Sequence, residues 1–74
     1  MTNANVHLNI LRRPAVEART GLSRSTIYDK LSPTSARFDP TFPKPIRIGL
    51  NAVGWIESEL DEWLASCLRK SRPS

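Results

Sequence analysis

The sequence predicts a small α+β domain, and three observations predict it. A proline-led helical segment stops at Gly21 and restarts at Ser23; residues 46–56 alternate on either side of a Gly/Asn connection; and Leu60, Trp63, Leu64, Cys67 and Leu68 recur at helical spacing. Two short helices, a β-hairpin and a packing helix in that order make a winged helix-turn-helix. The chain has 74 residues, enough for one domain with a thin stability margin.

The first helix is expected to begin at Pro14, whose missing N–H and fixed φ suit the first helical position. Ala15 and Val16 supply its small apolar face. Gly21 allows the positive φ that ends a helix at little cost, and Leu22 folds back onto the core. Ser23 is the expected N-cap of a second helix running from Arg24 to about Leu31, its hydroxyl accepting from the N–H of Ser25 or Thr26. Ile27 and Leu31, four apart, face inward; Arg24, Ser25 and Tyr28 stay outside, with Thr26 and Lys30 at the edge. Ile10, Leu11 and Arg12 form a short strand leading into the first helix.

Residues 32–45 contain four of the six prolines, at 33, 40, 43 and 45, which forbids a helix. The expectation is a tethering loop pinned to the core by Phe38 and Phe42. Next, Ile46-Arg47-Ile48 and Val53-Gly54-Trp55-Ile56 flank a four-residue connection, Gly49-Leu50-Asn51-Ala52, as a hairpin does. Ile46, Ile48, Val53 and Trp55 are expected to face the protein, with Arg47 and the tip outward. Ser58 is the expected N-cap of the last helix, with Asp61 three residues on and acidic residues 59, 61 and 62 at the favourable end of the dipole.

Composition narrows the function. Through Ile56 the chain has eight Lys/Arg against three Asp/Glu; from Glu57 onward it has three against four, for a formal net charge of +4. The basic excess therefore belongs to the helix-turn-helix and hairpin, the footprint expected of a phosphate-binding surface. One cysteine, Cys67, forms no internal disulfide and reads as a half-buried packing residue. With His7 the only histidine there is no zinc-ligand set, and no cofactor is expected. Scattered apolar residues give no membrane span or signal-peptide core, so a cytoplasmic, nucleoid-associated protein is expected. No paired carboxylates, phosphate-binding glycine loop or nucleophile–base set suggests catalysis, so the chain is read as a non-enzyme. The domain is expected over residues 10–70, with flexible segments at 1–9 and 71–74.

A helix start carrying hydroxyls and arginine suits the major groove of double-stranded DNA, where backbone N–H groups favour phosphate and an arginine fork spans guanine O6 and N7. On this reading Arg24 contacts a base or phosphate. Ser23, Ser25 and Thr26 use hydroxyls on phosphates, Tyr28 packs against the backbone, Lys30 lies at the edge, and Lys44 and Arg47 add charge from the hairpin side. Asp29 is left to accept from cytosine, pair with Lys30 or another cationic side chain, or face solvent. One such module covers a small site, so useful affinity calls for self-association on repeated sites or a partner such as an integrase or RNA polymerase. The second reading is a non-catalytic protein-interaction module, anti-repressor-like, acting through the acidic face of the last helix.

Leu11, Pro14, the run GLSRSTIY, FPKPI and AVGW followed by Glu57-Ser58-Glu59, in this order, resemble the AlpA family of phage and prophage regulators over roughly residues 9–70. That family is similar to the excisionases and to MerR-type winged-helix domains. The resemblance implies a sequence-specific DNA-binding protein that regulates genes of a mobile element, promotes its excision, or does both. It implies a recognition helix over residues 23–31, with Ser23, Arg24, Ser25, Thr26 and Tyr28 nearest the DNA, and a wing made by Arg47 and the turn through Asn51. The chain departs from the pattern at Leu50-Asn51, where many relatives carry a basic residue, and at Asp29.

Overall fold

Six elements follow one another in the computed structural model, which describes residues 8–72. They are β1 (Ile10–Leu11), α1 (Arg13–Thr20), α2 (Arg24–Leu31), β2 (Ile46–Gly49), β3 (Ala52–Ile56) and α3 (Glu57–Ser71). β3 is the centre of an antiparallel sheet ordered β1-β3-β2. This is the predicted α+β architecture, three helices on a three-stranded sheet that ends in a hairpin, as a winged helix-turn-helix requires. The expected flexible segments lie largely outside the described residues. Within them, Asn9 is tied down: its carbonyl accepts the Glu57 N–H at 2.9 Å, and its amide donates to Glu57 Oε1 at 2.8 Å.

The turn between α1 and α2 forms as its residues dictate. Gly21 takes φ 75° and donates its N–H to the Glu17 carbonyl, closing α1. Thr20 reinforces the turn, its hydroxyl donating to the Val16 carbonyl and accepting from the Leu22 N–H. Ser23 caps α2 by accepting from the Thr26 N–H at 3.2 Å. Pro14 stands one residue later than predicted: Arg12 is the N-cap and Arg13 the first helical residue, so proline occupies the second position, where an N–H has no intrahelical partner and its lack costs equally little.

Val16, Ile27, Phe42, Trp55 and Leu60 form the buried core, with Leu11, Leu22, Leu31, Trp63 and Leu64 packed around it. Every element except β2 thus contributes to one cluster. The proline-rich loop is pinned by Phe42, which meets Trp63 edge to face at 4.9 Å, and by the Pro43 carbonyl, which accepts from Trp55 Nε1 at 3.1 Å. Phe38, expected to pin it as well, is 39% exposed. The anchor in its place is Asp39. Its N–H donates to the Lys30 carbonyl at 3.0 Å, and its carboxylate accepts from Trp63 Nε1 at 3.1 Å.

Further expectations are corrected in α3 and in the hairpin. α3 begins at Glu57 with Ile56 as N-cap and no side-chain cap, so Ser58 lies inside the first turn. The reason is that β3 runs directly into α3 and the Asn9 carbonyl takes up the Glu57 N–H. In α3, Leu60 is buried and Trp63, Leu64 and Cys67 are partly so, but Leu68 is 53% exposed. In the hairpin only Leu50 and Asn51 separate the strands, and the register breaks between Arg47 and Gly49. Ile46 therefore opposes Gly54, while Arg47 opposes Val53. Shifting a strand by one residue exchanges its faces. Arg47 shares a face with Val53 and Trp55, and Ile46 and Ile48 lie on the outer face with Gly54, where both isoleucines are exposed.

Gly54 is required by close approach. A Cβ there would overlap Ile10 Cγ2 and lie 3.2 Å from the Leu11 carbonyl oxygen. Gly54→Ala is therefore expected to push β1 off β3 and destabilise the domain by about 1–3 kcal/mol, as overpacking does. In a thermal melt that is a fall of several degrees. An unchanged melting temperature would show that β1 does not fix the sheet edge.

Candidate nucleic-acid interface

Ser23 sets the geometry of the α2 start. Besides accepting the Thr26 N–H, its hydroxyl donates to Thr26 Oγ1 at 3.0 Å, and Ser25 Oγ lies 3.3 Å from it. Arg24 and Tyr28, one turn apart, come together: the guanidinium carbon sits over the Tyr28 ring, 5.9 Å from its centre, and both side chains are exposed. Thr26 is half-buried at the edge.

Lys30 takes another direction. Its ammonium lies over the Trp63 ring, 5.5 Å from the centre, so the last turn of α2 is held to α3. Lys44 is exposed between buried Pro43 and half-buried Pro45, and Arg47 is exposed on β2. Asn51 stands at the hairpin tip beside Leu50, which is 87% exposed. The structure thus gathers Ser23, Arg24, Ser25, Thr26 and Tyr28 at one end of α2. Lys44, Arg47 and Asn51 lie on the loop and hairpin, and Lys30 sits against α3.

The carboxylates are arranged so that these cations stay uncommitted. Glu17 pairs with Arg13, Asp29 with Arg37 at 3.3 Å, and Glu57 and Asp61 both with Arg19, the Glu57 contact at 2.6 Å. Asp29 is therefore occupied by Arg37 across the loop. Among the described residues Arg24, Lys44 and Arg47 have no carboxylate partner. The hydrogen bonds from Asn9 and then Arg19 hold the Glu57 carboxyl below its usual range, and those to Glu57 and Asp61 raise the Arg19 guanidinium. Such exposed pairs contribute little stability each, but this one ties the last turn of α1 to the first turn of α3. The Thr41 hydroxyl holds Asp39 low, outweighing its partial desolvation, with Trp63 and Lys30 assisting.

Sequence reasoning missed the Asp39–Trp63–Lys30 cluster, because nothing local to any of the three residues signals the other two. The Arg24–Tyr28 contact could have been found from its spacing, since residues four apart on a helix are neighbours. Among the described residues no helix is long and apolar enough to cross a membrane, and no group of three or more His, Cys, Asp or Glu is placed to hold a metal.

Residues 9–68 match the family described as "Prophage CP4-57 regulatory protein (AlpA)". The chain is 57% identical over 58 residues to the DNA-binding transcriptional activator AlpA of Escherichia coli (strain K12), covering 78% of this chain and 83% of that protein. It is 38% identical over 55 residues to the uncharacterized protein ORF88 of Enterobacteria phage P4, covering 74% of this chain and 56% of that protein. No solved structure matches the chain. Because the match runs from the residue that anchors the sheet edge through both helices of the turn, the hairpin and most of α3, the chain belongs to the AlpA family.

Proposed function

We propose that this protein is a sequence-specific DNA-binding transcriptional regulator of a phage, prophage or integrative element. The observation that carries the reading is the start of α2, a capped helix end presenting Arg24 beside Tyr28, with no carboxylate among the described residues paired to the guanidinium. It is supported by kinship with a protein named as a DNA-binding transcriptional activator. In this reading α2 enters the major groove. Its N-terminal N–H groups and the cations Lys44 and Arg47 hold phosphates, Asn51 meets the backbone from the hairpin tip, and Arg24 reaches base edges. Lys30 acts from behind, fastening the helix to α3.

The mechanism is binding without catalysis, on double-stranded DNA at the cytoplasmic nucleoid. A module of this size covers a short site, so neighbouring copies on repeated sites, or contact with RNA polymerase or an integrase, supply the remaining affinity. Where the bound site adjoins an attachment site, the same act of binding serves excision.

The test is recovery and sequencing of the DNA that the protein occupies in its host, repeated with Arg24→Ala. Promoter sites that disappear in the variant are the expected result, and attachment-site peaks would assign excision. Enrichment insensitive to Arg24 would overturn the reading in favour of a protein partner on the acidic face of α3.

A further inference from the structure

We infer that the Arg24–Tyr28 pair is the specificity element of this domain. Arg24 reads a guanine through O6 and N7, and Tyr28 is a positioning residue that holds the guanidinium ready. This rests on the DNA-binding reading above and deepens it: it names the base, and it separates the residue that reads from the residues that build the helix end.

The argument starts from the hydroxyls. Ser23 donates its only hydroxyl hydrogen to Thr26 Oγ1 and accepts the Thr26 N–H. With that hydrogen committed, Ser25 is the donor in its contact with Ser23. Of the three hydroxyls, only Thr26 keeps a hydrogen not engaged among the described residues, and Thr26 is half-buried. Ser23 is thus occupied in capping α2 and Ser25 is turned to Ser23, and the outward chemistry of the first turn falls to Arg24.

Arg24 is suited to one base. Its guanidinium carries only donors, in a fixed plane. In the major groove guanine offers two acceptors side by side, whereas adenine offers an acceptor beside a donor, so a donor-only fork fits guanine and meets a mismatch on adenine. Among the described residues no carboxylate competes for the fork, because Asp29, the only acidic residue of α2, is turned to Arg37. The Tyr28 ring lies beneath it, 5.9 Å away, and an exposed cation–π contact restricts a side chain that would otherwise lose much rotamer freedom on binding. Pre-ordering the fork lowers that loss at the moment of recognition.

The experiment is selection of bound sequences from a randomised duplex library with the full chain, alongside Arg24→Ala, Tyr28→Ala and Tyr28→Phe. Circular dichroism confirms that each variant is folded. The wild type is expected to select a motif containing a guanine whose enrichment Arg24→Ala abolishes, a loss of roughly 5- to 150-fold at that position alone. Tyr28→Ala weakens the same guanine preference several-fold and leaves the other positions of the motif as they were. Tyr28→Phe, which keeps the ring, restores the guanine preference. A motif in which Arg24→Ala lowers all positions equally would make Arg24 a phosphate contact and overturn the inference while leaving the DNA-binding reading intact. A guanine preference indifferent to Tyr28→Ala would remove Tyr28 from the mechanism. Failure of the wild type to enrich any sequence would overturn the DNA-binding reading itself.

Discussion

Trp55→Ala is expected to leave the chain unfolded at room temperature. Trp55 is fully buried on β3, paired with Leu11 across the sheet and packed in the cluster of Val16, Ile27, Phe42 and Leu60. Removing a buried tryptophan costs about 3–5 kcal/mol, the lost transfer energy plus the cavity left behind. A single core below about 80 residues rarely supplies more than that. The change also leaves the Pro43 carbonyl without the indole N–H that now satisfies it, freeing the proline-rich loop. Far-UV circular dichroism and a thermal melt check the result. A cooperative transition within a few degrees of the wild type would show that the core does not turn on this residue. Trp55→Phe separates the two contributions, keeping a ring in the cluster while losing the hydrogen bond. It is expected to fold with reduced stability.

What could be read from the sequence follows the range of the interactions involved. The bounds of α2, the Ser23 cap and the positive φ of Gly21 depend on residues within four positions of each other, and all three stand as the local chemistry requires. The α3 start does not, because the group that satisfies its first N–H is Asn9, far away in sequence. The hairpin shows how one residue misleads. The alternation of Ile46, Ile48, Val53 and Trp55 is real, but the irregularity after Arg47 puts the isoleucines and the tryptophan on opposite faces. Phe38 and Phe42 looked equivalent within the same loop, and only Phe42 lies where Trp63 can receive it. In the candidate site the residue types were legible. Which of them stay free was not: Lys30 is drawn to Trp63 and Asp29 to Arg37 by partners on other segments.

Those long-range partners decide how the binding surface should respond to mutation. Arg24→Ala with Arg47→Ala is expected to abolish measurable specific binding while leaving the fold intact, since both side chains are exposed and neither has an ion-pair partner among the described residues. On the proposed reading the two losses differ in kind: Arg24→Ala is expected to cost about 1–3 kcal/mol at the specific site, as a base contact does, and Arg47→Ala the same amount on any sequence, as a phosphate contact does. Titrating fluorescent duplexes across a range of salt concentrations separates them. Arg47→Ala is expected to reduce the slope of log affinity against log salt by about one, and Arg24→Ala to leave the slope unchanged while bringing specific and non-specific duplexes closer together. Lys30→Ala is the informative contrast. If Lys30 keeps its place over Trp63 in the complex, its removal leaves the salt slope alone and acts through stability. A drop of one in the slope for Lys30→Ala would instead return that residue to the DNA and show that α2 turns its last turn, as well as its first, toward the duplex.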